Sequence, residues 1–274
     1  MLSAMSTPAG RAARSAKNST VMHVLARAGF VASGLLHLII GFIAIALATG
    51  TGGGTEADQS GALSQLTRAP GGQLLLWCAT IGFAALGLWL LLSAFADRSW
   101  QGKRSRAAHI VQNLAKGVIY LVLAFTAFTF ARGGTDSSAQ STSQIGGTLL
   151  RAPGGVFVVV AIGIVLLGIA GYMVFKGVSK RFERDIRVPS GPTGRAISIL
   201  GVIGYVARGV ALGAVGVLFL VGAATHDASK TTGLDGALRS FVSLPFGMVV
   251  LIAIGVGWLA YGIYAFFRAR LARL

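Results

Sequence analysis

A chain of 274 residues that is 54% hydrophobic, 12% charged and +16 in net charge falls well short of the roughly 25% charged residues of a soluble domain. Its single cysteine, Cys78, excludes an internal disulfide and any cysteine-based metal cluster. The basic excess does not indicate nucleic acid, because the basic residues lie in short loops between apolar runs and no aromatic platform accompanies them.

In chain order, residues 1–20 are polar, basic and small, and read as a disordered tail. Six apolar stretches follow, at 28–49, 73–96, 112–131, 155–176, 198–224 and 245–267. A bilayer core of about 30 Å takes about 20 helical residues, so each stretch predicts one transmembrane helix. Ala46-Leu47-Ala48 has the small-x-small form of a signal-peptide cleavage site, but the apolar run before it is too long for a signal peptide. The loops after the first, third and fifth stretches share one plan. Each opens on an acid (Glu56, Asp136, Asp227), continues with spaced apolar residues such as Leu63, Leu66, Leu149 and Leu238, and closes on Pro and Gly. This pattern predicts a short amphipathic helix lying on the membrane face.

Two sets of landmarks reveal an internal repeat. Gly34, Gly117 and Gly209 are spaced by 83 and 92 residues, and so are Pro70, Pro153 and Pro245. Independent landmarks that shift together mark three copies of one two-helix unit, over residues 21–99, 100–182 and 183–274. The expected architecture is an all-α membrane protein with six transmembrane helices, arranged as a pseudo-three-fold bundle of three hairpins. Trp89, Tyr172 and Tyr264 stand 19 residues after the three prolines and suit an interfacial aromatic belt. Ala85, Gly168 and Ala260, four residues earlier, suit close helix packing. Nineteen of the 24 Arg and Lys residues fall in the N-terminal tail, the 97–116 loop, the 176–208 loop and the C-terminal tail. The positive-inside rule then places both termini in the cytoplasm. Clusters such as Lys103, Arg104 and Arg106 are expected to set topology and to touch anionic lipid.

The segments Ala-Ser-Gly-Leu-Leu-His at 32–37, Ala-Lys-Gly-Val-Ile-Tyr at 115–120 and Ala-Arg-Gly-Val-Ala-Leu at 207–212, with Ser60-Gly61-Ala62-Leu63 before Pro70 and Asp235-Gly236-Ala237-Leu238 before Pro245, resemble a bacterial family of membrane proteins. That family is built from three tandem copies of the domain of unknown function 1206. The resemblance covers residues 21–270. It implies a plasma-membrane location and the repeat architecture, and no chemistry. The first repeat departs from the others in having Ser33 where they have Lys116 and Arg208.

His37 is the sharpest candidate for a functional side chain, since an ionisable residue inside a bilayer is a functional hypothesis by default. Its repeat equivalents are Tyr120 and Leu212. The structural reading has Ser33, one turn earlier, satisfying one ring nitrogen and a neighbouring helix the other. Lys116 and Arg208 suit either an anion site where the odd helices converge or snorkelling to the headgroups. Glu56, Asp136 and Asp227 suit either a cation-attracting ring or solvated loops paired with Arg68, Arg151 and Arg239. Catalytic signatures are absent, no metal-ligand spacing surrounds His37, and no predicted span holds an acid. The expected function is that of a non-enzymatic structural or partner-binding membrane component without a cofactor. The alternative is a small transporter or channel with a polar path at the repeat interface.

Overall fold

The computed structural model describes residues 20–52, 54–96 and 103–272, so the predicted tail, Thr20 apart, lies outside the described residues. The described residues form nine α-helices: α1 (Thr20–Ala48), α2 (Gln59–Arg68), α3 (Gly72–Ala96), α4 (Lys103–Ala131), α5 (Ser138–Arg151), α6 (Gly155–Val178), α7 (Pro192–Thr225), α8 (Gly233–Val242) and α9 (Gly247–Leu271). Six of them, α1, α3, α4, α6, α7 and α9, are long and apolar enough to cross a membrane. They coincide with the six apolar stretches. The three short helices, α2, α5 and α8, are the amphipathic segments of the loops. The chain is an all-α, multi-pass membrane protein. The face bearing α2, α5 and α8 is called the cap face below, and the opposite one the terminal face.

Each short helix passes into the next span through the same turn. Ala69 N–H donates to Leu66 C=O and Gly72 N–H to Ala69 C=O; Ala152 and Gly155, and Leu244 and Gly247, repeat the pair. The residue after each proline takes a left-handed φ: +73° at Gly71, +74° at Gly154 and +61° at Phe246. Glycine adopts this conformation freely, whereas a side chain there costs roughly 1–2 kcal/mol. Phe246→Gly is therefore expected to stabilise the protein by about 1 kcal/mol. A higher midpoint of thermal unfolding in detergent would show this, and an unchanged or lower one contradicts it.

Neighbouring spans pack in the order α4–α3–α1–α9–α7–α6. Three of these joints (α3 on α4, α6 on α7, α9 on α1) set the second span of one repeat against the first span of the next, in cyclic order. The landmark glycines lie in these joints. A Cβ on Gly34 would come within 3.0 Å of Gly262 O, one on Gly117 within 3.1 Å of Gly87 O, and one on Gly209 within 2.9 Å of Ala170 O. The three partners each stand 17 residues after the landmark proline of their repeat. Close backbone approach at small residues is how membrane helices associate when lipid is as apolar as the helices themselves. The bundle therefore has the expected pseudo-three-fold order.

The joint within a repeat is made twice. Gly29 of α1 meets Gly82 of α3, and in the third repeat Gly204 and Gly257 bring α7 against α9. The second repeat holds Gln112 and Val165 at these positions. There α4 and α6 do not pack as the other five neighbouring pairs do. The six-span ring is open at one joint, and bulk where the other repeats have glycine explains it.

The cap face is sealed. Asp235 accepts from Ala57 N–H (2.7 Å), and Arg239 donates to Thr55 C=O (2.9 Å), tying the third loop to the first. Ser137 donates to Glu56 (2.5 Å) and Ser138 N–H to Ser60 (3.2 Å), tying the second to the first. Ser143 donates to Ala228 C=O (3.2 Å), tying the second to the third. Gln73 on α3 donates to Ala131 C=O at the end of α4. Beneath this lid Leu63, Leu66 and Leu238 are buried with Leu36, Ile40, Phe130, Leu251 and Ile254, so the cap half of the interior is apolar.

Candidate anion site in the terminal half of the bundle

The terminal half is built differently. α7 is a single 34-residue helix, about 51 Å long at 1.5 Å per residue. No break in the helix separates Arg208 from the apolar residues that precede it. Counting about 20 residues back from Thr225 puts the hydrocarbon boundary near Tyr205, and Arg208 one turn inside it. Its guanidinium does not run out along the helix. It lies over the Tyr261 ring, 4.2 Å from the centroid.

His37 sits beside the same ring, 4.7 Å from Tyr261 and 5.9 Å from Trp258 between centroids. Its Nδ1 is 2.6 Å from the Ser33 carbonyl. A neutral ring with its proton on Nδ1 donates there and leaves Nε2 as an acceptor. The satisfying group is thus the backbone of Ser33 and not its hydroxyl. Tyr120 stacks on Phe83 at 6.0 Å and lies within electrostatic reach of Tyr261 and Arg208. Two of the four predicted intramembrane residues, His37 and Arg208, therefore meet at the Tyr261 ring, and Tyr120 lies within electrostatic reach of it. Leu212, the third repeat equivalent, adds no polar group.

Lys116, the fourth, belongs to an adjoining basic group. It lies within electrostatic reach of Lys176, Arg268 and Asp185. Lys176 pairs with Asp185 at 2.6 Å and stands over Tyr205. Arg268 stands over Phe30, 4.6 Å from the centroid, with its Nε buried and without a hydrogen-bond partner. Lys116, Lys176 and Arg268 thus surround Asp185, while Glu183 on the same turn accepts from Ser198 at 2.7 Å. Their framework is aromatic. Phe182 stacks on Tyr205 at 5.3 Å and meets Tyr264 edge-on, and Tyr261 contacts both tyrosines. Such pairs contribute about 0.5–1.5 kcal/mol each beyond their buried area. Tyr264, expected in an interfacial belt, is fully buried inside this framework.

In the sequence, Lys176 and Arg268 stand only as topology charges, and no motif marks Tyr205 or Tyr261. The signal that finds them is helical spacing: Tyr261, Tyr264 and Arg268 recur at intervals of three and four on the face of α9 that meets α1 and α7.

On the cap face, Glu56 accepts from Ser60 and Ser137, and Asp136 shares a shallow hollow with it and with Arg68. Asp227 caps the turn Ala228–Lys230 by accepting from Ser229 N–H at 2.9 Å. Each of the three has its own local role, and Asp227 stands apart from the other two. The buried acids of the lid are instead Asp58 and Asp235. Asp58 N-caps α2 by accepting from Gly61 N–H; its Oδ1 also stands 2.7 Å from the Ser60 hydroxyl, whose one proton it shares with Glu56, and its Oδ2 has no partner. Burial first of all, with the nearby Glu56 and Asp235 charges adding to it, raises its pKa from 3.8 to about 6. No group of three or more His, Cys, Asp or Glu able to hold a metal occurs among the described residues.

Three tandem hairpins around a pseudo-three-fold axis, sealed at one face, define a class of multi-pass repeat membrane protein. The chain belongs to the family with the Domain of Unknown Function (DUF1206), which matches it three times, at residues 28–97, 111–180 and 203–272. It is also similar to the uncharacterized protein YxxB of Bacillus subtilis (strain 168), with 31% identity over 252 residues, 88% of each chain. No solved structure matches it.

Proposed function

We propose that this is a non-enzymatic protein of the bacterial plasma membrane, with both termini in the cytoplasm, that holds an anionic group in the cytoplasm-facing half of its bundle. The observation that carries this reading is the gathering of Lys116, Lys176 and Arg268 around Asp185, with Arg208 beside them at the Tyr261 ring, which lies within electrostatic reach of both arginines. Charges at membrane depth are costly unless paired. Aromatic faces meet Lys176, Arg208 and Arg268 and offset part of that cost. An incoming anion offsets more, and Arg is suited to bind phosphate through two parallel hydrogen bonds. The excess of basic residues at this face supports its cytoplasmic placement.

Titration of the detergent-purified protein with inorganic phosphate tests this reading. Trp258, against His37, is a built-in fluorescence reporter. A saturable change is expected, and Arg208→Gln is expected to weaken it by about tenfold or more. A signal that does not saturate, or one indifferent to Arg208, ends the anion reading. A second reading, a small transporter, draws on the same convergence and on the parallel repeats, which place sites at repeat interfaces. Phosphate efflux from loaded proteoliposomes that is lost in Arg208→Gln would favour it over a binding role.

A further inference from the structure

We propose that the open joint between α4 and α6 is the docking slot for an anionic phospholipid, its acyl chain in the slot and its phosphate at the basic cluster. The inference rests on the anion-site reading and adds what the ligand is and how it enters.

The slot is a defect in an otherwise repeated ring. Ile119 on α4 is 58% exposed, whereas its repeat equivalents Leu36 and Ala211 are 2% and 0% exposed. Ile169 on α6 is 46% exposed, against 0% and 3% at the equivalent Leu86 and Tyr261. Gly168 has nothing within 4 Å of where its Cβ would stand, while the equivalent Ala85 and Ala260 are buried. Positions that seal the ring in two repeats are therefore bare in the third, on both walls of one gap.

Each wall ends on a lysine. Gln112, Lys116 and Ile119 fall on one stripe of α4, and Val165, Ile169 and Lys176 on one stripe of α6. Lys116 lies within electrostatic reach of Lys176, Arg268 and Asp185, so the basic residues of both walls belong to one charged group at the terminal end of the gap. Lys176 is paired with Asp185, which leaves Lys116 and Arg268 as the net positive charge there, and an apolar channel that finishes at such a charge matches an acyl chain that finishes in a phosphate. Charge complementarity also separates the candidate occupants. A second copy of this chain would bring like charges to the same place, and a zwitterionic lipid brings no net charge.

Native mass spectrometry of the full chain in detergent, with equimolar dioleoylphosphatidylglycerol and dioleoylphosphatidylcholine, reads the preference directly. The anionic lipid is expected to be retained at least about tenfold better. Lys116→Gln and Ile169→Trp are each expected to lower that preference by about fivefold or more. Both positions are exposed or half-exposed, and the tryptophan fills the slot without disturbing a packed joint. Leu74→Trp, at an exposed site on α3, is expected to leave the preference unchanged. Equal retention of both lipids, retention indifferent to both slot variants, or a lipid-free dimer overturns the proposal. If phosphate still titrates through Arg208 in that case, the slot falls and the anion site stands; if neither ligand binds, both fall.

Discussion

Gly204→Val is expected to destabilise the bundle by about 3 kcal/mol or more, while Gly168→Val is expected to change stability little. The contrast follows from what a side chain would meet. A Cβ on Gly204 would lie 2.6 Å from Tyr261 Cβ and 2.7 Å from its Cα. Backbone atoms cannot rotate away, so α7 and α9 must separate along their joint, and Arg208 and Tyr261 would part with them. Gly168 faces open space. Both glycines are helical, so the gain in helix propensity from replacing glycine is similar at each site and does not account for a difference between them. Thermal unfolding of the two variants in the same detergent decides the matter. Equal losses would mean that α4 and α6 are joined like the other pairs, and would remove the slot along with this prediction.

The same joints show what could be read in the sequence. The paired offsets of the glycines and prolines encode a repeated contact, and that contact was found at all three inter-repeat joints, with Ala170 standing in for glycine at one. The short cap helices were legible because their apolar spacing and closing proline recur three times. The open joint was not. Gln112 and Val165 are unremarkable alone, and become departures only when set against Gly29, Gly82, Gly204 and Gly257 across a helix pair whose pairing the sequence does not state. His37 and Arg208 could be named because charge inside an apolar run is visible in one dimension. The direction in which Arg208 points could not, since inward and snorkelling rotamers share one sequence. Asp58 was passed over for Glu56, because only the latter stands at the opening acid of the loop plan. Burial separates the two, and burial depends on Asp235 and Arg239 arriving from the third repeat, almost 180 positions away.

Asp58 makes the stability of the cap face depend on pH. Its carboxyl is buried beneath the lid, accepts from Gly61 N–H through Oδ1, shares the one Ser60 proton with Glu56, and leaves Oδ2 unpartnered. Glu56 and Asp235 face it with negative charge, and its pKa rises from 3.8 to about 6. With the folded value above the unfolded one, the native state binds more protons between these values, so this group's contribution to stability falls as pH rises from about 4 to about 6. A shift of roughly two units corresponds to about 3 kcal/mol. Below pH 4 both states are protonated and the contribution is fully favourable; above about 6 it has been lost. Asp58→Asn keeps an oxygen for the N-cap and removes the charge. The variant is expected to match the parent near pH 4 and to exceed it by about 3 kcal/mol at pH 8. Unfolding midpoints of the pair at the two pH values read the difference. A variant no more stable than the parent at pH 8 would mean that the carboxylate, when ionised, has found a partner in the lid. The sealed face would then owe its closure to that charge instead of bearing it as a cost.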